Sequence, residues 1–210
     1  MEYMKTVPDK YFDLAIVDPP YGINHSEIAG KQSGTQFGNA SAPKGNYQIK
    51  DWDKSIPNQL YFSELKRVSK NQIIWGANYM VKFLDSSMGW IVWDKDNGDN
   101  GFSDCELAYT SFNKRLRKFK WTWSGMLQQN MKNKETRIHP TQKPIALYKW
   151  LLHNYAKPTD KILDTHLGSG SSAIAAHQWG GEFVGCELDK DYYEAAVKRF
   201  KEQTQQLTIF

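Results

Sequence analysis

Four short apolar runs that each stop abruptly constrain the fold of this chain most. Phe12 to Val17 ends at Asp18, Gln72 to Trp75 ends at Gly76-Ala77-Asn78, Lys161 to Leu163 ends at Asp164, and Glu182 to Cys186 ends at Glu187. Runs this short and this continuously apolar suit strands covered on both faces. Trp90 to Trp93 and Glu106 to Phe112 add two more. Between them lie segments with helical character. These are Leu60 to Val68, Pro144 to Tyr155 with proline in its first turn, a stretch from Gly168-Ser169-Gly170 to about Trp179, and Asp191 to about Gln203. Strands alternating with helices predict an α/β fold with a largely parallel sheet and helices on both faces. The 210 residues suit a single domain, 1–210. From Gly22 to about Pro57 the chain is polar, with five glycines between Gly22 and Gly45 and no period, which reads as a long mobile loop.

Charge is unevenly spread. The net charge is +4, yet the stretch from Asn113 to Arg137 holds eight Lys/Arg against one acid, Glu135. The rest of the chain is therefore net acidic. A concentrated basic stretch is the electrostatic footprint of a polyanion partner, and Lys114, Arg115, Arg117, Lys118 and Lys120 are the expected phosphate contacts. Phe119, Trp121 and Trp123 alternate on one face of a short strand among these cations; they read equally as DNA contacts or as a small core. The apolar runs are too short for a membrane span, and the first residues lack a signal-peptide core, so a cytoplasmic protein is expected. Cys105 and Cys186 belong to no Cys/His cluster, so neither a zinc site nor a disulfide is expected.

The segment Ile162 to Gly170 reads as a strand, a glycine turn and a helix start. Such a turn lets backbone approach a ligand and aims a helix N-terminus at electron-rich groups. Glu187, 23 residues beyond Asp164 and at the end of the next strand, is placed to accept two ribose hydroxyls. An ordinary turn with a capping acid fits the same spacing. At the other end of the chain, Asp18-Pro19-Pro20-Tyr21 follows a buried strand. An exocyclic amine on a nucleobase is a weak nucleophile because its lone pair is delocalised into the ring. The Asp18 carboxylate and the Pro19 carbonyl would draw its two N–H groups toward tetrahedral geometry and stabilise the charge that develops. Prolines add no competing N–H donor, and Tyr21 offers a face on which an extruded base can stack.

Taken together, Asp18 to Gly22, His139-Pro140-Thr141-Gln142-Lys143-Pro144, Gly168-Ser169-Gly170, and Gly185-Cys186-Glu187-Leu188-Asp189 followed by Tyr192 resemble the DNA amino-methyltransferases. The order is that of the circularly permuted group, in which the catalytic motif precedes the cofactor motif. The resemblance implies a Rossmann-like methyltransferase fold, S-adenosylmethionine as donor, a flipped target base in double-stranded DNA, and direct in-line transfer to adenine N6. It implies catalytic roles for Asp18, Pro19, Pro20 and Tyr21. It implies cofactor contacts for Thr141, Lys143, Asp164, His166, Gly168, Ser169, Gly170 and Glu187. Two features depart from the family pattern. Thr165, His166 and Leu167 stand where the family has Pro and an aromatic residue. Met1 to Pro8 is also too short for the family's first strand and helix, so that sheet position is expected to be short or absent.

Cytosine-N4 or RNA amines are alternative substrates for this motif set, and an inactive nucleic-acid-binding module of the same fold is the non-enzyme alternative. The stretch of about 113–138 reads as a short basic recognition insert, with the long loop or a second subunit of a homodimer supplying what it lacks. Asp51-Trp52-Asp53 reads chiefly as a structural element near the catalytic loop. Gln206 to Phe210 (Gln-Leu-Thr-Ile-Phe) resembles a bacterial sliding-clamp-binding peptide, although its apolar residues can equally fold back onto their own domain.

Overall fold

The computed structural model describes residues 1–24, 36–37, 40–41, 50–98, 103–124 and 127–205. Most of the Gly22-to-Pro57 segment, and all of Gln206 to Phe210 with the clamp-like peptide, lie outside them. The elements in chain order are α1 (Glu2–Lys5), β1 (Phe12–Val17), the short antiparallel pair β2 (Gln36–Phe37) and β3 (Ala40–Ser41), α2 (Gln59–Val68), β4 (Ser69–Trp75), β5 (Trp90–Asp94) and β6 (Cys105–Thr110). Then come β7 (Arg117–Lys120), the hairpin β8 (Trp123–Ser124) and β9 (Leu127–Gln128), α3 (Ile145–Tyr155), β10 (Lys161–Asp164), α4 (Ser171–Trp179), β11 (Glu182–Gly185) and α5 (Lys190–Thr204). No helix among the described residues is long and apolar enough to cross a membrane.

A seven-stranded sheet in the order β11-β10-β1-β4-β6-β5-β7 organises the chain. It is parallel except for β6, which runs antiparallel to both β4 and β5. Side chains of successive strand residues point to opposite faces, and the core divides accordingly. Leu14, Ile16, Ile73, Trp75, Ile91 and Trp93 pack on one face with Leu147, Leu151 and Ile174 of α3 and α4. Ala15, Val17, Ile74 and Leu163 pack on the other with Tyr61, Phe62, Leu65 and Val68 of α2 and Met4 of α1. The result is an α/β fold with helices on both faces, as the apolar runs predict. Among the described residues β11 is the outer strand on its side, and the first ten residues form α1 and a turn.

The aromatic triplet of the basic stretch belongs to the core. Phe119 and Trp121 stack on each other at 5.9 Å and pack against the α3 face, where Phe119 also meets Trp150 at 5.4 Å. Trp123 is buried, donates its indole N–H to the Gln142 carbonyl at 2.8 Å and carries the Arg137 guanidinium 4.4 Å above its ring. The strand pattern stops at Lys120 because β7, the outer strand among the described residues, pairs with β5, which ends at Asp94.

Candidate active site

Chain order reverses between β10 and β1: β10 and β11 step outward to one side, β1 and β4 to the other. Ligands of open α/β sheets sit at such a switch point, beyond the carboxyl ends of the strands. Asp18 and Asp164 leave two adjacent strands there. The structure thus brings together two sequence motifs that lie far apart in the chain.

Asp18 sits in a compact ionic cluster. Its Oδ1 accepts the Tyr21 hydroxyl at 2.5 Å, and its Oδ2 accepts the Lys143 ammonium at 2.5 Å. The same ammonium lies 3.0 Å from Glu106 Oε2 and 3.1 Å from the Tyr21 hydroxyl. Lys95 closes the far side on Glu106 Oε1 at 2.7 Å. Glu106 enters from the start of β6. That strand runs antiparallel to its neighbours, so its first residues lie at the sheet edge where β1 and β4 end. Only 3% of the Lys143 side chain is exposed. Burial penalises its charge, but the two carboxylates outweigh this and push its pKa above the ordinary lysine range. Burial also works against Glu106, yet Lys143 and Lys95 hold it down to about 2. Burial pushes Asp18 above the usual carboxylate range, with Lys143 pulling it back.

The Tyr21 ring lies flat against Gly76, where any β-carbon would collide with it, and stacks on Tyr79 at 5.2 Å and 16°. Gly76 has φ +64°, so both its backbone and the ring above it require glycine. The loop backbone is held by Asp53, whose Oδ1 accepts Tyr21 N–H at 2.7 Å and Gly22 N–H at 3.0 Å. Asp53 is buried. Beside it, Trp52 packs on His139 at 5.2 Å, and Lys50 pairs with Asp189 and Asp191 at 2.7 and 2.8 Å. The strap of residues 50–53 therefore joins the Asp18–Gly22 loop to the loops before α3 and α5.

The glycine turn is built from beneath. Asp164 is 1% exposed and accepts the His166 N–H at 2.9 Å and the Ser172 hydroxyl at 2.6 Å; burial raises its pKa to about 7. Ser169 is buried too, its hydroxyl 3.1 Å from that of Ser171 and its carbonyl on Arg199. Asp164 and Ser169 thus support the turn from beneath. A buried carboxylate at a strand end must find donors, and here the turn itself supplies them. The Lys143 ammonium is committed to Asp18 and Glu106. Gly168 and Gly170 have φ +51° and +74°. Glu187 accepts the Gly168 N–H at 2.8 Å on one oxygen and the Asp189 N–H at 2.9 Å on the other. Each oxygen keeps a second lone pair, so the carboxylate can still take two hydroxyls. Leu188 beside it is fully exposed, an apolar surface next to a ribose-type acceptor. Thr141 bonds His139 Nδ1 at 3.0 Å. His166, whose imidazole burial drives down to about 4 and so keeps neutral, lies 3.0 Å from the Thr165 hydroxyl. This half of the crevice fits a nucleoside with vicinal hydroxyls.

The predicted phosphate contacts are not brought together at this edge. β7 runs parallel to β5, with Arg117 opposite Ile91 and Lys120 opposite Asp94. Lys114, Arg115 and Arg117 therefore lie toward the opposite end of the sheet from Asp18. Lys114 is tied there to the Asn154 carbonyl at the end of α3. Lys118 and Lys120 lie nearer the site but pair with Asp94 and Asp96 at 3.3 and 2.9 Å. The exposed Lys132 and Lys134 follow the β8–β9 hairpin, which continues from the Lys120 end.

Sequence reasoning missed Glu106, Lys95 and Tyr79 and left Asp53 as a general structural residue. The available signals were an acid opening an otherwise apolar strand and a buried Asp two residues after another.

The family described as "DNA methylase" matches residues 95–198. Type II methyltransferase M.HinfI of Haemophilus influenzae is 25% identical over 240 residues, covering 96% of this chain and 66% of that relative. Among solved structures, TTHA0409 of Thermus thermophilus, a putative DNA modification methylase complexed with S-adenosyl-L-methionine, superposes with TM-score 0.57 at 15% identity. It covers 98% of this chain and 92% of that one. PvuII DNA methyltransferase, cytosine-N4-specific, superposes with TM-score 0.60 at 11% identity, covering 99% and 84%. At those identities the structures speak for the fold alone, and the family match and the relatives speak for descent. With motif residues from both ends of the sequence meeting at one switch point, the chain is similar to the DNA methylase family over residues 95–198 and to type II DNA methyltransferases over nearly its whole length.

Proposed function

We propose that this chain is an S-adenosylmethionine-dependent DNA methyltransferase acting on the N6 amine of a flipped adenine. The observation that carries the reading is the Asp18 carboxylate at the end of β1, one strand from the glycine turn of β10 and paired with a buried ammonium. Gly168, Gly170 and Glu187 would hold the cofactor, which supplies an electrophilic methyl group on a sulfonium centre. The chain's own residues do the rest. The target amine displaces the Tyr21 hydroxyl from Asp18 Oδ1 and places its other N–H on the Pro19 carbonyl, while Pro20 fixes the turn. The positive charge that grows on nitrogen meets a fixed carboxylate in a partly buried site, where such stabilisation is strongest. The departing proton passes to Asp18 Oδ1, which burial has made more basic than an ordinary carboxylate, and then to water. Tyr21, released from Asp18, presents its ring to the base. The β8–β9 hairpin with Lys132 and Lys134, together with Lys120, faces the DNA from the 113–138 region.

Adenine is favoured by the Asp-Pro-Pro-Tyr form of the motif. The deciding experiment is radiolabelled methyl transfer from S-adenosylmethionine to unmethylated double-stranded DNA, followed by nucleoside analysis. N6-methyladenine is the expected product. N4-methylcytosine would correct the base, and no transfer would overturn the function.

A further inference from the structure

Resting on that reading, we infer that Glu106 is a positioning residue: it holds the Lys143 ammonium in a cradle of two carboxylates, so that Asp18 stays aimed at the target amine. The Lys143 side chain is almost fully enclosed, and its Nζ touches Asp18 Oδ2, Glu106 Oε2 and the Tyr21 hydroxyl within 3.1 Å. A lysine carries several rotatable bonds and would not hold one geometry without a second anchor. Glu106 is that anchor, and it is itself fixed at its other oxygen by Lys95. Two anions and two cations balance, so the cluster survives burial. Removing one charge leaves the others uncompensated.

This arrangement separates two jobs. Asp18 must be an anion to accept the amine, yet burial works against its charge. Lys143 compensates, and Glu106 determines where Lys143 stands and how much of its field Asp18 receives. The groups that bear on Asp18 are Lys143 from the loop before α3, Glu106 from β6, Tyr21 from its own loop, Tyr148 from α3, Asp164 from β10 and Tyr61 from α2. Of these, Lys143 is the cation, and Glu106 is the anion that shares it.

The test uses the full chain with Glu106→Gln and Lys143→Met, and reads the Asp18 carboxyl by carbon-13 NMR titration as well as single-turnover methyl transfer. Glutamine keeps the shape and a hydrogen bond to Lys143 but removes the competing charge, so the Asp18 midpoint should fall. Methionine removes the cation, so the midpoint should rise. The acid limb of the rate profile should move in the same opposite directions, with transfer slowed about tenfold or more in Glu106→Gln as the anchor on Lys143 loses its charge. Binding of S-adenosylmethionine by calorimetry should stay within about twofold of wild type in Glu106→Gln, which also shows that the variant is folded. The Lys143→Met titration is an independent arm. Asp18 midpoints that do not move, or that move the same way in both variants, overturn the inference. So does a Glu106→Gln protein with the wild-type rate and pH profile. If the wild-type protein transfers no methyl group, the proposed function fails, while the Asp18 titrations still decide the role of Glu106.

Discussion

Asp53→Ala probes how the catalytic loop is held. In the native chain one carboxylate oxygen takes two consecutive loop N–H groups, at 2.7 and 3.0 Å. Hydrogen bonds to a charged acceptor contribute about 1.5–3 kcal/mol each. Gly22 is exposed and its freed N–H can turn to water, whereas the Tyr21 N–H is partly buried. The expected loss is therefore about 2–3 kcal/mol, dominated by one donor. Spent on loop geometry, that lowers kcat/KM by about 30- to 100-fold, since about 1.4 kcal/mol is a factor of ten. Spent on global stability, it would lower the Tm by about 5–10 °C in a domain of this size. Steady-state methylation and thermal unfolding of Asp53→Ala and Asp53→Asn separate the two. Asparagine retains an oxygen acceptor and should lose only a fewfold. An alanine variant with wild-type kinetics and stability, or an asparagine variant as impaired as alanine, refutes the clamp.

Asp18→Ala should lower turnover about 100-fold or more while cofactor binding measured by calorimetry is retained. Gly76→Ala combines a positive φ with a collision against the Tyr21 ring, so it should lose about 1 kcal/mol or more in denaturant unfolding and disproportionately more activity. Glu187→Ala frees the Gly168 and Asp189 N–H groups as well as the two hydroxyl acceptors, so calorimetry should show cofactor affinity reduced about tenfold or more. Asp164 is protonated more readily folded than unfolded, its pKa standing at about 7. Native stability attributable to it is full below the unfolded value near 4 and lost as pH rises toward 7. The Asp164→Asn protein, which escapes that loss, should gain on wild type across this window in chemical denaturation. A stability difference that is flat with pH would contradict the assignment. Lys132→Gln with Lys134→Gln should reduce the salt slope of DNA binding by about 1 unit for each phosphate no longer neutralised, and Lys114→Gln should not change it.

The strands were legible where composition and punctuation agree. Phe12–Val17 is bounded by two prolines, and Lys161–Asp164 by a glycine turn, so local chemistry alone stops each one. The helices Gln59–Val68 and Ile145–Tyr155 follow from apolar spacing within a residue or so. The positions of Asp18, Tyr21, the glycine turn and Glu187 were legible because each stands at or just beyond the end of such an element, where a parallel sheet can present side chains to a ligand. The placement of the basic stretch was not legible, because a count of charges along the chain ignores the direction in which an edge strand runs and the acids on its neighbour.

Sequence alone thus determined the α/β class, the strand ends and the residues that could carry the chemistry, since all of these rest on short-range preferences of the backbone and on burial. Tertiary structure alone decided what those residues touch. The antiparallel insertion of Cys105–Thr110 between two parallel strands carries Glu106 to the same edge as Asp18. Lys143, 125 residues from Asp18, meets them there because α3 packs on that face of the sheet. Neither contact leaves a periodic trace in the chain. Charges pair across the sheet because an ammonium this deeply buried requires its counter-charges, and only the folded strand order brings two carboxylates within 3 Å of it.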